Sequence, residues 1–260
     1  IPLRLVGSEM CIRDRVKELI DAAKCSIFFI DEDQRVTLKD VGSKSVIRDF
    51  AVARGAEVEE YSLTSQFRCA GSDGYLAWVD DVLQIRPTAN HTLDDIPFDF
   101  QVFDDPAKLH AAIEAKNGNN RARVVAGYCW PWASKKSPKH MDLVIGDYER
   151  QWNLDQDGSL WIVAPESVQQ VGCIHTCQGL EVDYVGVIIG PDLVMDGDTL
   201  KSVPRARDRH DKTMKGFVKM SKEQPAEAAR QADMIIKNTY RTLMTRGMKG
   251  CYVYATDARL

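Results

Sequence analysis

The stretch that decides the fold is VGCIHTCQGLEVDYVGVII, residues 171–189. Its β-branched start leads into a polar turn, and an apolar run over residues 184–189 follows. This pattern predicts a strand, a polar elbow and a second strand. Gly179 allows a ligand to approach the backbone closely, with His175 and Glu181 on either side. An ordinary loop of an α/β domain is the alternative interpretation.

The elbow is similar to motif V of superfamily 1 helicases, a His-x-x-Lys/Gln-Gly-Leu-Glu core that lies between nucleic acid and nucleotide. The residues at 183–188 match as well. On these residues the chain resembles the Schlafen-like DNA/RNA helicase domain family of bacteria, long classed as a domain of unknown function. The resemblance implies that Gly179 and Glu181 lie at the nucleotide, and that His175 and Thr176 lie near the nucleic-acid backbone.

The composition limits the classes of function. At 260 residues, 44% of them apolar, the chain can form one large domain, or one and a half small ones, around a sizeable core. Its formal net charge of −4 excludes a histone-like binder, so any nucleic-acid contact must use a local basic groove. No apolar run approaches the roughly 20 residues that span a bilayer, and no signal peptide is recognisable. We therefore expect a cytoplasmic protein without a membrane partner.

The cysteines predict reduced thiols, because there are seven of them, an odd number spread over the whole chain. Cys173, His175 and Cys177 form a Cys-x-His-x-Cys cluster that resembles a zinc site. Alternate residues of a strand share one face, and no Cys-x-x-Cys pair closes the site elsewhere, so we expect no metal here.

The amino-terminal segment, residues 1–15, has no clear periodicity and no Met at position 1. It is similar to adapter-derived translations at the ends of truncated environmental reading frames, so we treat it as a non-native or disordered segment. A genuine amphipathic segment that docks on the domain is the alternative. Helical spacing of apolar residues begins at Val16.

A first polar strand end follows residues 25–30, which predict a buried strand. Polar residues at the carboxyl end of a parallel strand lie where open α/β sheets bind ligands. By resemblance this is helicase motif III, which makes Gln34 the sensor of the terminal phosphate. For Asp31 and Glu32, a Walker B pair and simple capping of the next turn are the alternatives.

A second strand end precedes Arg68. Residues 45–54 predict a helix, residues 57–63 alternate as a strand, and Arg68 then follows an aromatic residue. This resembles motif IV, whose arginine reaches across a cleft to phosphates; a guanidinium stays charged and donates two hydrogen bonds to them. A surface arginine at a strand end is the alternative. Ser72 opens a helix predicted over residues 73–84.

An aromatic and basic segment follows the strand predicted over residues 121–127. Trp130 lies close in sequence to Lys135 and Lys136. Rings stack on bases and ammonium groups pair with phosphates, so this segment is a candidate contact for single-stranded DNA or RNA. A solvated loop with structural tryptophans is the alternative. Further predicted elements are strands over residues 99–103, 160–163 and 251–255 and a helix over residues 107–116.

The polar segment 194–224 predicts an insertion or mobile loop. Its basic side chains either follow a phosphate backbone or form a solvated face. They are Arg205, Arg207, Arg209, His210, Lys212 and Lys215.

The longest predicted helix, residues 226–244, leads into Thr245 and Arg246. This resembles motif VI, in which a Thr-Arg pair ends a helix that faces the cleft. The resemblance makes Arg246 an arginine finger on the terminal phosphate, with Arg241 supporting the helix end or the phosphates.

The resemblance covers nearly the whole chain and departs from the family at the front. No Gly-x-x-x-x-Gly-Lys-Ser/Thr occurs, and no clear Walker B strand precedes motif III. We predict an α/β fold of the RecA-like P-loop NTPase kind, with a mainly parallel sheet and helices on both faces. Residues 16–44 are assigned to the end of a first RecA-like domain, and residues 45–260 to a second.

The implied function is the carboxyl-terminal part of an ATP-dependent DNA/RNA helicase or translocase, which binds ATP and Mg²⁺ when intact. Hydrolysis requires the missing amino-terminal RecA-like domain, so the chain alone is expected to be inactive. One alternative is a non-hydrolysing nucleic-acid-binding or regulatory module. Another is a nuclease whose Mg²⁺ is held by the acidic run at residues 31–33, but adjacent carboxylates on a strand point to opposite faces.

Overall fold

The computed structural model describes residues 9–38, 43–62, 69, 72–153, 161–162, 164–177 and 181–260, with side chains from residue 16. Within these ranges the α-helices are α1 (Glu9–Ala22), α2 (Lys44–Val52), α3 (Asp73–Val82), α4 (Pro106–Ala115), α5 (Ile174–Cys177), α6 (Phe217–Glu223) and α7 (Pro225–Met244). The strands are β1 (Asp99–Phe103), β2 (Ala122–Ala126), β3 (Leu143–Ile145), β4 (Tyr148–Arg150), β5 (Val171–Gly172), β6 (Val182–Ile189), β7 (Leu193–Asp196), β8 (Thr199–Ser202) and β9 (Gly247–Ala255).

Five of these strands form one parallel sheet in the order β1-β9-β6-β2-β5. The central strand β6 carries Val185, Val187 and Ile188, all fully buried. Such an uninterrupted apolar run is typical of a parallel strand that is covered on both faces. The predicted α/β fold with a mainly parallel sheet is therefore confirmed.

Helices cover both faces of the sheet. On one face α4 packs Leu109 and Ile113 into the core. A Cβ atom at Gly186 of β6 would lie 2.8 Å from Ile113 Cγ1, so glycine is what lets α4 approach this closely. The other face is covered by α7, whose Ile236 and Leu243 pack in a second buried cluster, together with α3.

Several predicted helices are confirmed within a few residues of their expected ends, namely α2, α3, α4 and α7. Ser72 caps α3 as expected, because its Oγ accepts a hydrogen bond from the Tyr75 N–H at 3.2 Å. None of the described helices combines the length and the apolarity needed to cross a bilayer.

Three predicted strands are wrong for the residues that the structure describes. Residues 25–30 form no strand and join no sheet there, and Ile27 and Phe29 are 78% and 83% exposed instead of buried. Residues 57–62 likewise form no strand, and residues 161–162 form a 3₁₀ turn. An apolar alternating run becomes a strand only where a neighbouring strand accepts its hydrogen bonds, and none of the described segments does so.

The segment 194–224 is not the loop that its polarity predicts. It contains most of the antiparallel hairpin β7–β8, two 3₁₀ turns and α6. Arg207, expected in an exposed basic run, is instead fully buried and pairs with Asp192 at 2.8 Å and Asp211 at 3.0 Å. This buried ion pair ties the segment to the end of β6.

Candidate nucleotide and nucleic-acid sites

Two predicted nucleotide contacts meet where β6 and β9 begin side by side. The Val182 N–H donates to the Arg246 carbonyl oxygen at 3.0 Å. Glu181 directly precedes Val182, so the residues predicted from motifs V and VI are neighbours at the amino-terminal edge of the sheet. The parallel pairing of β6 with β9 brings them together across 65 positions of sequence.

Arg246 is enclosed in this structure, with 3% of its surface exposed. Its Nε donates to the carbonyl oxygen of Thr242, one turn earlier, at 2.9 Å. The space beside it, also bounded by Trp161, Cys177 and Val185, has a volume of about 10 Å³. A space of this size holds about one water molecule. A terminal phosphate therefore reaches Arg246 only if the surrounding side chains move apart.

Arg123 shares this space and was not identified from the sequence. It is almost fully buried on β2, where its guanidinium donates to the side-chain oxygens of Asn117 at 3.0 Å and Asn120 at 2.8 Å. It also donates to the carbonyl oxygen of Ile162 at 2.6 Å. Burial lowers the pKa of Arg123 to about 10. The one available signal was a charged residue inside an otherwise apolar strand.

Gln34 lies in a 3₁₀ turn, Glu32–Gln34, and its Nε2 donates to Asp31 Oδ2 at 2.6 Å. The following segment is fixed to α7, because Asn238 Nδ2 donates to the Arg35 carbonyl oxygen at 3.1 Å. The predicted motif III segment and the predicted motif VI helix are therefore in direct contact.

An alternating ion cluster strengthens this contact. Asp33 pairs with Arg86 at 2.6 Å and with Arg241 of α7 at 3.7 Å. Asp80 of α3, which is buried, pairs with Arg241 and also with Arg86 at 3.3 Å. Two carboxylates and two guanidiniums thus join three separate parts of the chain near the end of α7. Arg241 thus lies in this junction near the end of α7. Support of the helix end was one of the two roles expected for it.

Two predicted nucleotide contacts, Arg68 and Gly179, lie outside the described residues. Cys69, next in sequence to Arg68, is buried, and its Sγ lies 3.9 Å from the carbonyl oxygen of Thr245. Thr245 directly precedes Arg246.

The predicted nucleic-acid contacts His175 and Thr176 lie on α5, which follows β5. The Thr176 Oγ1 accepts from the Cys173 N–H at 3.0 Å and lies 3.1 Å from Asn153 Oδ1. His175 is exposed. Residues 174–177 are helical, so the strand geometry used above to argue against zinc is wrong. Among the described residues no three His, Cys, Asp or Glu side chains gather as metal ligands.

The aromatic loop that contains Trp130 lies on a buried indole. Trp152 is fully buried, its Nε1 donates to the Trp130 carbonyl oxygen at 3.2 Å, and its ring stacks on Tyr128 at a centroid distance of 5.4 Å. Lys135 Nζ lies 3.9 Å from the centroid of the Trp132 ring. A cation over an indole face is a favourable contact that also presents a positive charge at the surface.

Trp152 and Asn153 join the two predicted nucleic-acid elements. Trp152 contacts the loop of Trp130, while the next residue, Asn153, contacts Thr176 of α5. This dipeptide was not identified from the sequence, because residues 152–157 are hard to assign to a helix or a strand from their pattern. Lys136, exposed, is in the same loop.

A second basic segment adjoins this loop. The Asp208 N–H donates to the Tyr128 carbonyl oxygen at 3.1 Å, which places residues 208–210 beside the aromatic loop. Arg209 and His210 are exposed there. The surface formed by Trp132, Lys135 and their neighbours thus combines rings with positive charges.

Comparison with known proteins identifies the relatives of the chain. The family model described as "Schlafen group 3, DNA/RNA helicase domain" matches residues 8–257. A protein of Saccharomyces cerevisiae, "Uncharacterized protein YPL245W", is 28% identical over 271 residues, which cover 95% of this chain and 58% of that protein. The chain thus spans less than two thirds of the length of this yeast relative.

Proposed function

Since the chain belongs to the Schlafen group 3 DNA/RNA helicase domain family, we propose that it is part of an ATP-dependent helicase or translocase acting on single-stranded DNA or RNA. In this proposal its fold is RecA-like. Chain outside these 260 residues supplies the amino-terminal RecA-like domain, with the phosphate-cradling loop and the Mg²⁺ site. The length of the yeast relative, of which this chain covers 58%, is consistent with such an addition.

The convergence of four motif regions at one end of α7 carries the nucleotide part of the proposal. Glu181 adjoins Arg246 through Val182, Asp33 beside Gln34 pairs with Arg241, and Cys69 beside Arg68 contacts Thr245. A phosphate-transfer site needs cationic groups held in fixed positions around the transferred phosphate, which these contacts would supply from one edge. ATP would bind between this edge and the missing domain.

The aromatic loop and α5 support the nucleic-acid part of the proposal. The Trp132 ring is suited to stacking on a base and the Lys135 ammonium group to pairing with a phosphate. The Thr176 hydroxyl is suited to a hydrogen bond with the sugar-phosphate backbone of the nucleic acid. In this proposal α5 also couples the two ligands, because Thr176 contacts Asn153 while the next residue, Cys177, lines the space beside Arg246. Phosphate binding that moves Arg246 would displace α5. Because α5 carries the proposed nucleic-acid contacts, this displacement would change how the chain holds the DNA or RNA strand.

Binding of labelled oligonucleotides to the purified chain tests this proposal. Fluorescence anisotropy with oligo(dT) and oligo(U), across a salt series, should show binding that weakens as salt rises. The double variant Lys135→Ala/Lys136→Ala should bind more weakly, with a salt slope smaller in magnitude by about 1.4, since each lost phosphate contact on a single strand contributes about 0.7. Lys201→Ala/Lys219→Ala removes two exposed lysines that lie outside this loop and serves as the matched control.

Absence of binding even at low salt would contradict the nucleic-acid part of the proposal for this chain. Equal losses in the test and control variants would mean that bulk charge and not this loop attracts the strand.

A non-hydrolysing nucleic-acid-binding or regulatory module is the second candidate, and the burial of Arg246 favours it. A module of this kind binds the oligonucleotide with the same affinity whether or not an ATP analogue and Mg²⁺ are present. A translocase that includes its amino-terminal domain changes this affinity on binding the analogue. The nuclease alternative is disfavoured because Asp33 is engaged by Arg86 and Arg241.

A further inference from the structure

The lysine loop has a buried acidic anchor. Asp142 directly precedes β3, is 4% exposed and accepts two main-chain hydrogen bonds. Its Oδ1 accepts from the Ser134 N–H at 2.8 Å, and its Oδ2 accepts from the Trp152 N–H at 3.0 Å. Ser134 directly precedes Lys135, so one carboxylate holds the start of the lysine turn against the buried tryptophan.

The anchor itself rests on a fixed support. The Asp142 N–H donates to the Arg150 carbonyl oxygen at 2.9 Å, which extends the pairing of β3 with β4. That hairpin is held in the core by Leu143 and by Tyr148, whose hydroxyl contacts His110 of α4 at 2.7 Å. The position of the lysine turn is therefore determined through Asp142 by the body of the domain.

We propose that Asp142 is a positioning residue for nucleic-acid binding, which holds the Lys135 turn on the buried Trp152-Asn153 dipeptide so that the exposed lysines of the turn line the path of a single strand. The inference rests on the proposed nucleic-acid contact of this loop. A carboxylate that accepts two N–H bonds forms stronger hydrogen bonds than a neutral acceptor does. Asn153, which is also buried, links this support to Thr176, whose Oγ1 lies 3.1 Å from its Oδ1, so one anchor orients both halves of the strand path.

The sign of the effect separates positioning from simple electrostatics. Removing a negative charge beside lysines that contact phosphates strengthens binding if charge alone matters. If Asp142 positions the lysines, its loss weakens binding instead. Asp142→Asn cannot accept at both oxygens, and Asp142→Glu keeps the charge but moves the carboxylate by one methylene.

The experiment measures oligo(dT) and oligo(U) binding by anisotropy in a salt series for Asp142→Asn, Asp142→Glu and the control Asp147→Asn. Asp147 is an exposed acid at the turn of the same hairpin, so the control makes the same charge change without touching the loop. We expect both Asp142 variants to bind more weakly, Asp142→Asn with a salt slope reduced as in Lys135→Ala/Lys136→Ala. Adding the lysine substitutions to Asp142→Asn should cause little further loss.

A second readout does not depend on nucleic acid. Limited trypsin digestion, followed by mass spectrometry, should show faster cleavage after Lys135 and Lys136 in both Asp142 variants than in the native chain or Asp147→Asn. Native binding that responds to the lysine pair, with unchanged or tighter binding in Asp142→Asn, would overturn the inference and leave the proposed function intact. Faster cleavage in the Asp142 variants without any oligonucleotide binding by the native chain would instead contradict the proposed function.

Discussion

The Val182 N–H and the Arg246 carbonyl oxygen are joined by a 3.0 Å hydrogen bond at the start of two central strands. Because Glu181 directly precedes Val182, this bond brings Glu181 close to Arg246, the residue that the resemblance to motif VI predicts as an arginine finger. Arg246 is nevertheless turned towards its own helix end, where its Nε donates to Thr242. The chain thus holds these parts of the expected nucleotide site together, in a closed arrangement.

We predict that the purified chain does not turn over ATP, because arginines without a phosphate cradle and bound Mg²⁺ do not assemble the transition state. When the chain is extended to include its amino-terminal domain, turnover should appear and Arg246→Ala should reduce kcat by roughly 10³-fold or more. A coupled-enzyme assay of phosphate release measures both. Lys249→Ala, which changes an exposed cation of β9, is the control and should leave kcat unchanged.

Steady ATP turnover by the 260-residue chain that Arg246→Ala abolishes would contradict this prediction. Thermal melting of each variant shows whether a lost activity reflects a lost fold, since Arg246 is buried.

The ion cluster predicts a measurable loss of stability. Asp80 is the buried carboxylate of the cluster, so Asp80→Asn leaves Arg241 and Arg86 with the single, more exposed partner Asp33. Removing one partner of a buried pair costs about 3 kcal/mol or more. Urea unfolding should show this decrease in the free energy of unfolding. The control Asp104→Asn breaks an exposed pair with Lys108 and should cause no measurable change.

Equal midpoints for Asp80→Asn and Asp104→Asn would show that the cluster does not hold α3 and the 3₁₀ turn on α7.

Arg207 and Arg209 provide a matched pair for the segment that the sequence predicted as a loop. Arg207→Met leaves Asp192 and Asp211 buried without their guanidinium and should lower the free energy of unfolding by about 3–5 kcal/mol. Arg209→Met changes an exposed residue and should leave stability unchanged while weakening oligonucleotide binding. Chemical unfolding and anisotropy, applied to both variants, measure the contrast. A stable Arg207→Met variant with weakened oligonucleotide binding would show that Arg207 contacts the nucleic acid and does not stabilise the fold.

The sequence was sufficient to predict helices and strands where the local pattern of apolar residues agrees with their surroundings in the fold. The helix α7 and the strand β6 carry long apolar patterns and appear close to their predicted bounds, whereas β9 begins four residues before the predicted strand 251–255. The nucleotide roles that the resemblance assigns to Glu181 and Arg246 stay predictions, although the parallel pairing of β6 and β9 brings the two residues close together. The strand predicted over residues 25–30 is wrong because their apolar run favours a buried strand, while strand pairing also needs a neighbouring strand, which none of the described residues supplies.

The anchors of the site were not predictable from the sequence. Asp142 and Asn153 lie in a stretch without periodicity, and their importance arises from hydrogen bonds to residues up to 23 positions away. Arg207 was misassigned for the same reason, because a basic run gives no indication of which member meets two buried carboxylates. Charge patterns predict solvent exposure on average, whereas individual ion pairs depend on tertiary geometry.

The buried imidazole of His110 gives the chain a pH dependence of stability. Its Nε2 lies 2.8 Å from the Val168 carbonyl oxygen, which only accepts, so this nitrogen carries the proton and Nδ1 accepts from the Tyr148 hydroxyl. Burial lowers the pKa of His110 to about 4, whereas an unfolded histidine titrates near 6.5. Between these values the unfolded chain binds one more proton than the folded chain, so this residue makes stability fall as the pH falls.

We therefore predict that the contribution of His110 is complete above pH 6.5 and that roughly 3 kcal/mol is lost as the pH falls from about 6.5 to about 4. Carboxylates of the chain also titrate in the lower part of this window. The pH dependence of the native chain is therefore compared with that of His110→Gln, whose amide keeps a donor and an acceptor without titrating. Urea unfolding at several pH values should give a shallower slope for this variant, and the difference should be greatest between pH 5 and 6. Parallel slopes for the two proteins would mean that the pKa of His110 is the same in the folded and unfolded chains, in conflict with the effect of burial on this imidazole.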